Sequence, residues 1–295
     1  MRILVVGREG MLSQELVPYL QHAGFEVFNE GLPRLDITKK EKVYQSLQDV
    51  QPQVVINAAA FTDVDQAESD REIAFAVNRD GPKHLAQFCH RVSIPLIHVS
   101  TDYVFDGSNT RPYRENDRAQ PASVYGKSKW EGEEVIRSVH GKHIIIRTAW
   151  LYSLYGRNFL KTILRLAGER RELQVINDQH GCPTWAKDFA GVLTKICHRI
   201  EVNRHDDGPW GTYHYCGEGE TTWFGMASVA LQSAKQYTSL QVEQVHPIAT
   251  EDYRSAARRP AYSVLNCSKI KQVFNVQPIK WVSSVQRCVG EFYAC

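Results

Sequence analysis

The chain has 295 residues, 43% hydrophobic and 23% charged, the make-up of an ordinary globular protein with room for a sizeable core. Its 35 Lys plus Arg against 33 Asp plus Glu leave a net charge of +2 with the basic residues scattered, which speaks against a nucleic-acid or acidic-membrane surface. The apolar start MRILVV is too short for a signal peptide, no later stretch is long enough to cross a bilayer, and seven dispersed cysteines without a CxxC spacing indicate reduced thiols in a cytoplasmic protein. Cys288 and Cys295, near the end of the chain, are the two placed for exposure.

Residues 2–6 read as a buried strand, followed by the turn Gly7-Arg8-Glu9-Gly10-Met11-Leu12-Ser13 and a helix with Leu16, Val17 and Leu20 on one side. Strand, glycine turn and helix is the setting in which helix N-terminal amides hold a pyrophosphate. Ser13 stands where a G-x-x-G-x-x-G pattern has its third glycine, and a plain tight turn is the rival reading. A second strand, 25–28, ends at Asn29-Glu30, where Glu30 can meet the adenosine ribose of NADH or Arg8 the 2'-phosphate of NADPH. Asp36-Ile37-Thr38 reads as a helix start capped by Asp36 or Thr38, with Tyr44 and Leu47 on the apolar face.

The strand at 52–57 leads into Ala58-Ala59-Ala60-Phe61-Thr62, small residues that let a flat cofactor approach the backbone or simply pack a helix. Asp63, Asp65 and Glu68 read as a solvated helix start and not as metal ligands. Residues 74–90 read as one long helix, with Asn78 facing a neighbour or a cofactor loop. The strand at 95–99 runs into Ser100-Thr101-Asp102, at the carboxyl end of a central strand where open α/β sheets bind ligands. Thr101 is therefore a candidate to hydrogen-bond a substrate carbonyl, with Asp102 beside it, and a capping role is the alternative. After an irregular excursion at 108–124, a helix carries Tyr125 and Lys129 four residues apart, hence on one side. An ammonium near a phenol lowers its pKa and makes it a proton donor or acceptor, although chance supplies this spacing on many exposed helices.

A strand at 143–147, extended through 148–152, completes a run of strand–helix units that predicts a mostly parallel sheet with helices on both faces. Further on, the pattern gives a helix at 158–167, a strand at 172–177, the loop Asp178 to Thr184, and a helix at 185–197. A polar surface linker follows at 201–211, then a strand at 212–216 and helices at 221–234, 265–274 (with Ser268 as a possible cap) and 283–293.

The segments GREGMLSQEL, VINAAAFTDVDQAE, HVSTDYVFDG, YGKSKWEGE, RTAWLYSLYGRNF, VINDQHGCPT and ARRP, in this order across nearly the whole chain, resemble the dTDP-4-dehydrorhamnose reductases of the extended short-chain dehydrogenase/reductase family. The resemblance implies a Rossmann domain, mainly residues 1–150, and a smaller C-terminal α/β substrate-binding domain, mainly 151–295, with segments near 185–200 and 212–235 returning to the Rossmann domain. It implies cofactor contacts from Gly7, Gly10, Met11, Leu12, Asp36, Ile37, Ala59, Ala60, Thr62 and Val99, with Tyr125 and Lys129 also at the nicotinamide side. Thr101, Tyr125 and Lys129 match the catalytic hydroxyl, tyrosine and lysine.

Asp102 and Trp150 match substrate-side positions. His246-Pro247-Ile248 and the stretch to Arg258-Arg259-Pro260 match a ligand-side loop, in which the two arginines engage a diphosphate or shape the lid through carboxylate pairs. Glu15 and Glu291 match two places where some members hold magnesium at a dimer interface. The expected activity is NADH- or NADPH-dependent reduction of the C4 ketone of dTDP-4-dehydro-β-L-rhamnose by a monomer or homodimer, with Lys129 lowering the Tyr125 pKa. A reductase of another nucleotide-linked 4-keto sugar and a non-catalytic regulatory subunit are the alternatives.

Overall fold

In β1 (Arg2–Val6), Ile3 and Val5 face one side and Leu4 and Val6 the other, and all four are buried, so both faces of this strand must be covered. The computed structural model, which describes residues 1–202 and 208–294, covers them with alternating helices. After β1 come α1 (Met11–His22), β2 (Glu26–Glu30), α2 (Lys40–Val50), β3 (Val54–Asn57), α3 (Val64–Ser69), α4 (Arg71–Phe75), α5 (Gly81–Arg91), β4 (Leu96–Thr101), α6 (Val124–Val139) and β5 (His143–Thr148). The second half contains β6 (Leu151–Tyr152), α7 (Phe159–Ala167), β7 (Glu172–Ile176), β8 (His180–Gly181), β9 (Thr184–Trp185), α8 (Ala186–Val202) and β10 (Gly211–His214). It ends with β11 (Thr221–Thr222), α9 (Trp223–Ala234), β12 (Gln244–Ile248), α10 (Ser268–Phe274) and α11 (Trp281–Ala294).

Six parallel strands in the order β10-β5-β4-β3-β1-β2 make a Rossmann-type sheet, as the strand–helix alternation predicts. One face is packed by Leu16 and Leu20 of α1, Phe189 and Ile196 of α8 and Phe274 of α10. The other is packed by Val43 and Leu47 of α2, Leu85 of α5 and Ile136 of α6. A separate apolar cluster joins α7, α9 and α11 to β7, through Leu160, Leu164, Met226, Leu231, Val285 and Leu173. Thus α8 and β10 belong with the large sheet, whereas α9 packs in the smaller cluster.

Several local expectations are corrected. The Asp36 carboxylate bonds the Thr38 amide and hydroxyl at 2.9 and 2.7 Å in a turn, and α2 starts only at Lys40. The helix expected at 74–90 is interrupted by a π-helical turn at Ala76–Asp80. The strand extension past Thr148 stops at Trp150, whose φ of 47° breaks the run before β6. Residues 244–248 are not loop: they form β12, paired in parallel with β7. Cys288 is buried, and Cys295 lies outside the described residues, as do 203–207 of the expected linker. Among the described residues, no helix is long and apolar enough to cross a membrane.

Candidate active site

At the carboxyl ends of β1 and β3, Gly7 adopts φ 110°, and a Cβ there would meet the Ala59 amide nitrogen at 2.8 Å. The glycine turn therefore touches the end of β3 through main chain alone. Gly10 caps α1 without a side-chain bond, which leaves the first-turn amides from Met11 onward open to an anion. Ser13 is fully buried under the turn, so a hydroxymethyl fits where a third glycine was expected. Ala59 and Ala60 are half-buried beside it and Thr62 is exposed. These features fit a dinucleotide pyrophosphate.

Glu30 behaves differently from the expectation of a ribose contact. Its carboxylate is buried, bonded to the Ser46 hydroxyl of α2 and 3.2 Å from the Arg34 guanidinium. Its carbonyl accepts from the Gly7 and Arg8 amides, so it braces the turn from behind. Arg8 is exposed. Ile37 is buried against Gly81, with its carbonyl 3.0 Å from His84 Nδ1.

Helix α6 starts at Ser123, whose hydroxyl accepts the Gly126 amide at 3.1 Å, and this puts Tyr125 on the first turn and Lys129 on the second. Both are buried, as are Thr101 and Asp102 at the end of β4. Burial lifts the Tyr125 phenol well above its ordinary range, with the Thr101 hydroxyl opposing the shift. The expected lowering by Lys129 is not found. The Lys129 Nζ donates to the Val99 carbonyl at 2.7 Å, lies 3.4 Å from His98 Nε2, and is pushed down to about 8 by burial.

The Thr101 hydroxyl donates to Asp102 at 3.0 Å and accepts the Tyr103 amide at 3.2 Å, so capping coexists with its position beside Tyr125. Burial raises the Asp102 carboxyl to about 6.

The π-helical turn turns Asn78 inward. Its side chain clamps both main-chain groups of Phe61, at 2.9 and 3.0 Å, and donates to Ser128 of α6 at 3.0 Å. Gly132 of α6 sits directly against the Asn78 carbonyl, where any Cβ would collide. One asparagine thereby ties the Ala59–Thr62 loop to the helix that carries Tyr125 and Lys129.

On the outer side, Trp150 stacks on Trp223 with ring centroids 3.5 Å apart and rests against Gly181. The Arg259 guanidinium is paired with Asp65 of α3 at 2.6 Å, and Asp65 also accepts the Ala257 amide and the Ser255 hydroxyl. The carboxylate-pair reading of Arg259 therefore applies, and Asp65, still partly exposed, is engaged by it. Glu68 likewise accepts the Val124 amide at 2.9 Å, and Asp63 caps α3. Arg258 is exposed and lines, with Arg259, Asp106, Gln179 and Tyr253, a cavity of about 530 Å³. Its lining stops short of Tyr125, Lys129 and Thr101. Tyr103 bridges that gap: it packs edge-on against Tyr125, and burial raises its phenol to about 12, with the nearby Arg259 guanidinium opposing the shift.

The family described as the RmlD substrate binding domain matches residues 1–294. The chain belongs to this family. It is 42% identical over 282 residues to a dTDP-4-dehydrorhamnose reductase of Aggregatibacter actinomycetemcomitans, covering 95% of each chain. A dTDP-4-dehydrorhamnose reductase of Sinorhizobium fredii is 40% identical over 289 residues, covering 98% of this chain and 97% of that one. A solved dTDP-4-dehydrorhamnose reductase of Bacillus anthracis, in complex with NADP, superposes with a TM-score of 0.91 at 34% identity over 98% of this chain and 99% of that one.

For this RmlD-family chain, the magnesium expectation meets a poor donor set. Glu15 accepts the Ser153 hydroxyl at 2.6 Å, and both oxygens of Glu291 are taken by the Lys187 ammonium at 2.7 and 2.6 Å. Among the described residues, no group of three or more His, Cys, Asp or Glu side chains is placed to hold a metal ion.

The sequence reading passes over His98 and Trp223 and takes Asp65 only as part of a solvated helix start. Their roles depend on strand register and on contacts between segments far apart in the chain, which spacing does not encode.

Proposed function

We propose that the chain catalyses NADH- or NADPH-dependent reduction of the C4 ketone of dTDP-4-dehydro-β-L-rhamnose to dTDP-β-L-rhamnose. The observation that carries this is the burial of Thr101, Tyr125 and Lys129 together at the carboxyl end of β4, above a glycine turn with open helix amides, in a chain of the RmlD family. The nicotinamide cofactor, when bound, supplies the hydride to the carbonyl carbon. Gly7, Gly10, Met11 and Leu12 would hold its pyrophosphate, Asp36 and Ile37 would border the adenine, and Ala59, Ala60, Thr62 and Val99 would line its path. Arg8, exposed at the rim, would meet the 2'-phosphate of NADPH, and Glu30, occupied by Ser46 and Arg34, is not offered as the ribose contact.

Tyr125 delivers the proton to the oxygen that gains charge as the ketone is reduced. At neutral pH the phenol carries its proton, as a donor in the reducing direction must. Thr101 donates a hydrogen bond to the same oxygen, and Lys129 restores the tyrosine proton and contacts the nicotinamide ribose. Asp102 and Trp150 orient the sugar, and Arg258 with Arg259 faces the diphosphate side of the cavity. The division of labour follows the packing: residues 1–150 with α8 and β10 bind the cofactor, and the cluster of α7, α9 and α11 carries the substrate side.

Tyr125→Phe is expected to lose at least 100-fold in turnover, the lower end of a general acid's contribution, with cofactor affinity nearly unchanged. Undiminished turnover would remove Tyr125 from this role. Product analysis on a panel of nucleotide-linked 4-keto sugars, run with each cofactor, separates the rhamnose-forming reaction from reduction of a related sugar.

A further inference from the structure

Beneath the Tyr125–Lys129 pair lies a buried line of polar groups that neither the turn nor the substrate side uses. Asn57, at the end of β3, and His98, in the middle of β4, are register partners on adjacent strands and are both fully buried. The Asn57 Oδ1 accepts the Ala59 amide at 3.1 Å, which fixes the orientation of the side-chain amide. Its Nδ2 therefore points at His98 Nδ1, 3.0 Å away, and a nitrogen facing an amide donor must act as an acceptor. The ring proton is then on Nε2, directed at Lys129 Nζ 3.4 Å away. An N–H facing an ammonium would be a donor against a donor, so this arrangement is satisfied only when the lysine nitrogen offers a lone pair. The same Nζ donates to the Val99 carbonyl at 2.7 Å, which an amine does as well as an ammonium.

We propose that His98 is a positioning residue for Lys129: with its tautomer set by Asn57, it presents Nε2–H to the lysine nitrogen and so favours the amine that is left once Lys129 has given up a proton. This rests on the reading of Tyr125 and Lys129 as the proton-delivery pair and adds what sets the charge of the second member. A lysine whose amine form is favoured can pass its proton to the tyrosinate, the N–H bond breaking as the O–H bond forms, and regain one from solvent, whereas a lysine held permanently as the ammonium cannot give its proton up. The lowering of Lys129 to about 8 and the lowering of His98, both chiefly from burial, agree with the geometry. The other charged and titratable groups facing His98 are Glu133 and Arg137 of α6 and His143 of β5. Glu133 is occupied by Arg147 and Arg137.

Two measurements test the proposal, the first without catalysis. Imidazole nitrogen chemical shifts of the full chain are expected to show His98 neutral with the proton on Nε2 between pH 6 and 9. A proton on Nδ1, or an imidazolium, would overturn the proposal. In Asn57→Asp the carboxylate demands a proton from Nδ1, so the tautomer is expected to reverse; an unreversed tautomer counts against it.

The second is the pH profile of kcat for dTDP-4-dehydro-L-rhamnose with NADPH in the His98→Gln variant, whose amide oxygen can accept from an ammonium. The limb assigned to Lys129 is expected to rise by about one pH unit, the usual size of a hydrogen-bond effect on a neighbouring charge, with native circular dichroism. A profile that superimposes on that of the parent chain, while Tyr125→Phe is inactive, overturns the role of His98 and leaves the pair intact. An active Tyr125→Phe overturns the pair itself, a result the nitrogen shifts cannot produce.

Discussion

The indole of Trp150 lies flat on that of Trp223, with centroids 3.5 Å apart and planes within 4°. Trp150 pays for this with a backbone φ of 47°, a conformation a bulky side chain adopts only when its surroundings enforce it. Trp223 is itself steered by its indole N–H, which donates to Gln179 at 3.0 Å. The stack thus joins the end of the large sheet to α9.

Trp223→Ala should release Trp150 and raise KM for the sugar nucleotide by about 3–10-fold, the value of an aromatic pair of about 0.5–1.5 kcal/mol. Cofactor affinity, measured by fluorescence titration, should stay unchanged. An equal loss for both ligands would mean the stack supports the whole fold instead of the substrate side.

Glu133 is the buried anchor of α6. It accepts from Arg147 at 2.7 Å, from Arg137 at 2.5 Å and from Ser100 at 2.5 Å, and the two guanidiniums hold its carboxyl down at about 2. Glu133→Ala strands the Arg147 charge in the core and should cost on the order of 3–5 kcal/mol in denaturant unfolding. Because this carboxyl is depressed in the fold, its contribution is complete above the unfolded value of 4.5 and is lost as pH falls towards 2. The gap between parent and variant should narrow over that window.

Asp102 has the opposite sign. Its carboxyl is raised from 3.8 to about 6, so the native state holds the proton more tightly than the unfolded chain, and stability falls as pH rises between these values. Asp102→Asn should remove that slope and gain on the order of 3 kcal/mol at most at pH 7, a ceiling set by the free-energy equivalent of that rise. Thermal unfolding of both forms at pH 4 and pH 7 checks it: melting points that diverge at pH 4 and meet at pH 7 would contradict the sign.

Asp65 joins α3 to the loop at Ser255, Ala257 and Arg259, residues about 190 positions away in the chain. Asp65→Ala should unlatch this loop, seen as faster limited proteolysis between residues 250 and 259 and a higher KM for the sugar nucleotide. Unchanged cleavage would show that the loop is held by other contacts.

The alternation of strands and helices is readable in the sequence because β1, β3 and β5 are buried on both faces and announce themselves as unbroken apolar runs. Tyr125 and Lys129 are readable as a pair because helical spacing is local. Glu30 departs from its expected role because its partner Ser46 lies on the next helix, and nothing in the spacing tells a carboxylate which way to turn. The break at Ala76–Asp80 is invisible in the sequence because it goes with the close approach of Gly132 to the Asn78 carbonyl, a contact between distant segments. His98 reads as part of an apolar strand, and only its register with Asn57 gives it a partner.

The contact between Gly7 and Ala59 has an evolutionary reading. The floor of the glycine turn consists of peptide groups, and a substitution at Gly7 would push the end of β3 away. That floor can change little without losing the site altogether. With the cofactor held on this turn as proposed, the choice between NADH and NADPH would fall to the replaceable side chains at its rim, where Arg8 and Arg34 stand exposed.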